Sequence, residues 1–150
     1  AAQKLLAERF SVAADVWSVT SYSELRRDAL DVDRWNMLHS GESPRRAFLV
    51  GALENAQGPF VAATDYLKSL PDAVAKWLPG RLISLGTDGF GRSETRPALR
   101  DFFEVDAKHI ALAALHALAE EGSAQGHPVK AACQAALAPT LHAMGVPHLV

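Results

Sequence analysis

The sequence predicts an α/β domain of three layers, with a mostly parallel sheet flanked by helices. Three observations predict it. Apolar runs of strand length alternate with segments of helical periodicity, and strands separated by helices pair in parallel through crossovers. The run Leu82-Ile83-Ser84-Leu85 breaks into Gly86-Thr87-Asp88-Gly89-Phe90-Gly91 and then a helix-like stretch. That is the strand, turn, helix layout found at the carboxyl ends of strands, where ligands and partners sit. Finally, 150 residues with 49% apolar and 21% charged side chains suit one domain with its own core.

The first element is a helix over residues 1–10, because Ala2, Leu5, Leu6 and Phe10 recur at helical spacing. It has no capping residue ahead of it, so the chain is expected to open in mid-helix. Residues 12–20 read as a strand from Val12, Val16, Trp17 and Val19. Ser21-Tyr22-Ser23-Glu24 has the form of a capping box, with the Ser21 hydroxyl serving the Glu24 amide and the Glu24 carboxylate reaching back. The helix it opens is expected to run to about Asp33, with Leu25, Ala29 and Val32 inward. Arg34 to His39 then leads into a break at Ser40-Gly41-Glu42-Ser43-Pro44.

A short helix over residues 45–55 places Phe48, Leu49 and Leu53 inward, and Gly58-Pro59 stops it. Residues 60–64 form a short strand. Ser69-Leu70-Pro71-Asp72 starts a helix, since proline is tolerated in a first turn and Asp72 suits the positive end. Its buried stripe is Leu70, Val74, Trp77 and Leu78. After the central strand comes a short helix over residues 97–103. Asp106 caps a longer helix bearing Ile110, Leu112, Leu115 and Leu118. Residues 122–126 read as a linker, and residues 128–141 as a final helix with Val129, Ala132, Cys133 and Leu137.

Charge and composition exclude several function classes. A net charge of -2 gives no electrostatic basis for binding nucleic acid or an anionic membrane. No apolar run reaches the roughly 18–20 residues that span a bilayer, and nothing at the start resembles a signal peptide. A lone cysteine forms no internal disulfide, so a reducing, cytoplasmic setting is expected.

Few residues point to chemistry. His109 and His116 share a helix face but lie about 10.5 Å apart along the axis, too far for one metal ion. His39, after a tryptophan-containing turn, is the histidine with a functional reading; His127, His142 and His148 carry little signal. Cys133 sits among alanines and reads as a small core residue. No nucleophile elbow, Walker loop or zinc spacing is present. Asp65, at a strand end, either lines a cleft or caps the next segment. Asp88, Arg92 and Ser93 are the best polar cluster. One reading is anion recognition by Arg92 and the turn amides. In the other, which is preferred, Asp88 holds the turn amides, Arg92 pairs with a carboxylate and Ser93 caps a helix.

Several runs carry a resemblance. They are Ala14-Asp15-Val16-Trp17-Ser18-Val19-Thr20-Ser21, Arg34-Trp35-Asn36-Met37-Leu38-His39, Thr64-Asp65-Tyr66, Leu85-Gly86-Thr87-Asp88-Gly89-Phe90-Gly91-Arg92-Ser93 and Phe103-Glu104-Val105-Asp106. In their order and spacing, over about residues 1–122, they resemble the carboxyl-terminal domain of the homodimeric pyruvate dehydrogenase decarboxylase component. That enzyme is of the transketolase-like group. Ala63, Leu67 and Glu94-Thr95 depart mildly from the pattern, and residues 123–150 match only as a helical tail. The resemblance implies a transketolase C-terminal-like fold lacking its first strand, and a longer enzyme around it. It implies thiamine diphosphate and Mg2+ in the full enzyme, held by domains upstream, and none in this segment. The implied partners are those upstream domains, a second subunit and the dihydrolipoyl acetyltransferase core. No catalytic, cofactor or metal residue of the family maps here. Asp88, Arg92, Ser93, Asp65, Trp35 and His39 remain as turn or interface candidates. The competing expectations are another transketolase-group enzyme and a free-standing anion-binding module.

Overall fold

The two apolar runs nearest the glycine turn pair with each other. In the computed structural model, which describes residues 1–124, β1 (Phe60–Ala63) and β2 (Leu82–Leu85) form a parallel ladder with Phe60 opposite Leu82 and Ala63 opposite Leu85. Among the described residues the sheet has these two strands, so the α/β class holds on a smaller sheet than expected. Around it stand α1 (Ala2–Phe10), α2 (Tyr22–Leu38), α3 (Phe48–Ala52), α4 (Ser69–Asp72), a 3-10 turn (Ala75–Trp77), α5 (Arg96–Phe102) and α6 (Ala107–Ala124). None of these helices is long and apolar enough to cross a membrane.

The capping residues are where the sequence places them. Ser21 Oγ accepts the Glu24 amide at 3.2 Å, and Asp106 Oδ1 accepts the amides of Lys108 and His109 at 3.1 and 3.0 Å. Both satisfy donors that a helix start leaves free. The Glu24 carboxylate turns outward to Arg27 instead of back to the cap. Helix α2 runs five residues past Asp33, because no breaker stands in Arg34-Trp35-Asn36-Met37-Leu38. It ends where the His39 amide and Nδ1 both meet the Trp35 carbonyl, at 3.0 and 2.8 Å.

Two cores form. In one, Leu6 of α1 packs against Ala111, Leu115 and Ala119 of α6, with Leu5, Phe10, Val12 and Ala14 at its border. In the other, Leu49, Leu53 and Val74 meet Tyr22, Leu25 and Phe60. Helix α6 packs against both α1 and the strands, so it is covered on more than one side. That is why small residues, Ala111, Ala113, Ala117 and Ala119, are buried beside Leu115, while Ile110, Leu112 and Leu118 are half-buried. It continues through Gly122, where a linker is expected.

Three further expectations are corrected. Residues 12–20 form neither a helix nor a ladder, because no strand lies alongside them among the described residues; Trp17 is left 61% exposed. Phe48 points outward, 69% exposed, because its amide is held by Asp28 Oδ2 at 2.8 Å in the first turn of a five-residue helix. The helix expected from Ser69 breaks after one turn into the 3-10 segment, leaving Val74 buried and Leu70, Trp77 and Leu78 half-buried. The expected final helix over residues 128–141, with Cys133, lies outside the described residues, as do His127, His142 and His148.

Surface ion pairs tie these pieces together. Asp33 Oδ2 accepts Lys76 Nζ at 2.9 Å and Trp77 Nε1 at 3.1 Å, pinning α2 to the 3-10 segment. Hydrogen bonds from Lys76, Arg46 and Lys108 respectively hold the carboxyls of Asp33, Glu54 and Asp101 below their ordinary range. Carboxyls lowered on folding stabilise above the unfolded value, about pH 4, and that contribution fades as pH falls through the folded values. The urea midpoint is therefore expected to drop on acidification below about pH 4. The drop should be shallower in the triple variant Asp33→Asn, Glu54→Gln, Asp101→Asn, and in roughly 0.5 M salt, which screens exposed pairs. Parallel acid curves for variant and parent would contradict this.

Candidate site at the carboxyl ends of the strands

The two strands end side by side, and the turns that follow are fastened to each other. The Thr64 amide extends the ladder to the Leu85 carbonyl at 3.0 Å. The Thr87 amide then donates to the Tyr66 carbonyl at 2.9 Å, and the Thr87 hydroxyl to the Asp65 carbonyl at 2.7 Å. Asp88 Oδ1 accepts the Lys68 amide at 3.1 Å, and its Oδ2 lies 3.6 Å from Lys68 Nζ. The turns are so close that a Cβ on Gly86 would lie 2.6 Å from the Tyr66 carbonyl oxygen. Gly89, with φ +85°, supplies the left-handed residue that bends the chain away.

The sequence-predicted cluster does not converge on one point. Asp88 holds the neighbouring turn, through the Lys68 amide, instead of its own. Arg92 lies over the Phe102 ring at 3.9 Å as a cation–π pair, not against a carboxylate. Ser93 is exposed and caps nothing: the N-cap of α5 is Thr95, without a side-chain cap bond. Asp65 contributes its carbonyl to Thr87, and its side chain is exposed. The turn amide of Thr87 and the Asp88 carboxylate are thus already engaged within the protein. Three aromatic side chains on these turns and on α5 are exposed: Tyr66 at 59%, Phe90 at 98%, and Phe102, over which Arg92 lies. Phe90 and Tyr66 lie within the quoted motifs, and their exposure is not legible from hydropathy, which reads an aromatic residue as core.

Trp35 and His39 sit elsewhere, at the end of α2. Their rings stack in parallel, 4.2 Å between centroids and 8° between planes, and the Arg45 guanidinium lies 4.0 Å from the Trp35 centroid. Asn36 completes the arrangement: its Nδ2 donates to the Arg45 carbonyl at 3.0 Å, and its Oδ1 accepts the Arg45 amide at 2.7 Å. The half-buried Trp35, Asn36 and His39 thereby clasp the returning chain, and Met37 and Leu38 are the exposed apolar residues at this end of α2. Asn36→Ala removes two hydrogen bonds at a partly wet site, an expected loss of about 1 kcal/mol. The Arg45 amide should exchange with deuterium about fivefold faster, the factor that this energy corresponds to. Unchanged exchange at Arg45 would show that the clasp carries no weight.

One cluster escaped sequence reasoning. Asp101, Asp106 and His109 bring ligand atoms within 4.8 Å of one another, because α5 delivers Asp101 to the start of α6. The signal was the Asp106 to His109 spacing of three, which needed Asp101 from another helix. His109, 6% exposed, places Nδ1 2.7 Å from Asp106 Oδ1. The Lys108 ammonium pairs with Asp101 and lies 3.9 Å from Asp106, so the cluster already contains its own cation. The Asp101 hydrogen bond in turn raises the Lys108 pKa. His116 lies apart, exposed, with Nε2 3.3 Å from Glu120.

Residues 1–106 match the family model of the transketolase-like TK C-terminal domain. Over 122 residues the chain is 50% identical to the pyruvate dehydrogenase E1 component of Pseudomonas aeruginosa, covering 81% of this chain and 14% of the relative. It is 46% identical over 123 residues to that of Cupriavidus necator, covering 82% and 14%. To that of Mycobacterium tuberculosis it is 43% identical over 134 residues, covering 89% and 14%. The chain therefore spans about 14% of the length of these relatives.

Proposed function

The chain belongs to the transketolase-like C-terminal domain family, and from that premise we propose that it is the structural and assembly domain of a longer pyruvate dehydrogenase. The whole enzyme would decarboxylate pyruvate and pass the acetyl unit to the lipoyl group of an acetyltransferase. The observation that carries this reading is the 50% identity across 122 residues to a protein named pyruvate dehydrogenase E1 component. The geometry supports a bracing role over a catalytic one. At the carboxyl ends of the strands the Thr87 amide, the Asp88 carboxylate and the Asp65 carbonyl are spent on tying two turns together.

The reading implies thiamine diphosphate with Mg2+, and the described residues do not fit that group. A diphosphate needs free amides or cations converging on it. Here the space above Gly86 is filled by the Tyr66 carbonyl and Lys68, and the nearby side chains Asp65 and Asp88 are carboxylates. The cofactor is accordingly assigned to the remainder of the polypeptide, and no reaction step is placed on these residues. The exposed Tyr66, Phe90 and Phe102, with Arg92, suit contact with that remainder or with a second subunit, since aromatic residues and arginine are enriched at interfaces. Ser93 and Asp65 neighbour Arg92 and Tyr66 in sequence. The Trp35 and His39 clasp has the separate role of shaping the end of α2. A cytoplasmic setting and an acetyltransferase core as partner complete the proposal.

The test is expression of the complete reading frame that carries this sequence, with and without residues 1–150. The full polypeptide is expected to reduce and acetylate a lipoyl domain with pyruvate, thiamine diphosphate and Mg2+. The 150-residue chain alone is expected to give no calorimetric binding of thiamine diphosphate. Activity with ketose phosphates in place of pyruvate would assign the chain to another transketolase-group enzyme. Tight binding of thiamine diphosphate, nucleotides or phosphate by the isolated chain would make it a free-standing module and overturn the proposal.

A further inference from the structure

We draw no further inference here: the strongest candidate, the apolar surface patch of Val16, Trp17 and Val19 on the segment between α1 and α2, carries nothing because nothing in the structure shows what covers it.

Discussion

Replacing Gly86 by alanine is expected to destabilise the domain by about 2–3 kcal/mol, the cost of overpacking a site that cannot yield. The added methyl would lie 2.6 Å from the Tyr66 carbonyl oxygen, 3.1 Å from Lys68 Cγ and 3.2 Å from the Lys68 amide nitrogen. Only the Lys68 side chain can swing aside. The carbonyl accepts the Thr87 amide, and the Lys68 amide donates to Asp88, so both backbone neighbours are held by bonds that relief would break. The glycine is needed here for close approach and not for a left-handed φ. Two sister variants separate these effects. Gly91→Ala meets nothing within 4 Å and carries no left-handed φ, so it should be neutral or mildly stabilising. Gly89→Ala meets nothing either, but at φ +85° it should cost about 1 kcal/mol of backbone strain. Urea melts of the three variants give the ranking, and amide exchange at Thr87 should accelerate most in Gly86→Ala. If Gly86→Ala melts with Gly91→Ala, the fastening of the two turns contributes nothing to stability.

That ranking bears on what a glycine-rich turn signifies. Read from sequence, three glycines after a strand suggest a phosphate loop. In the structure each has a different reason: Gly86 lets two turns touch, Gly89 bends the chain and Gly91 is unconstrained. The Thr87 amide, which a phosphate would need, is turned inward to Tyr66. Several pieces of local chemistry were legible. Ser21 and Asp106 cap, Pro97 stands in the first turn of α5, and Phe60–Ala63 and Leu82–Leu85 are strands. Each of these depends on a few adjacent residues. What was not legible depends on distant ones. Residues 12–20 have the β-branched composition of a strand, but a ladder needs a neighbour, and composition cannot say whether one is there. The outward Phe48 depends on Asp28, twenty residues away, holding its amide. Arg92 finds Phe102 and Asn36 finds Arg45 across turns whose path no periodicity encodes. The candidate site failed as a cluster for this reason. The partners of its residues are set by the fold.

A loss of similar size is expected in the α1–α6 core. Leu115→Ala is expected to cost about 3 kcal/mol, the sum of lost transfer energy and an unfilled cavity. Leu115 is buried against Leu6, Ala111 and Ala119. The alanines beside it have no longer side chain with which to fill the gap, and α6 is held on its other side by the strands, so collapse is restricted. With a urea slope of about 2 kcal/mol per molar, the midpoint should fall by roughly 1.5 M. Leu115→Met, which keeps the volume, should lose less than about 1.5 kcal/mol, and Leu112→Ala, at a half-buried position, should also lose less than Leu115→Ala. The damage should also reach the segment after α1. The Val12 amide donates to the Leu6 carbonyl at 3.1 Å, and Val12 and Ala14 border the same core. Faster exchange at Val12 in Leu115→Ala, with the Thr87 amide of the strand-end turns following only global unfolding, is the expected pattern. Equal acceleration at both amides would mean that the two regions open together, and that the core under α1 is not a separate support for the segment carrying Val16, Trp17 and Val19.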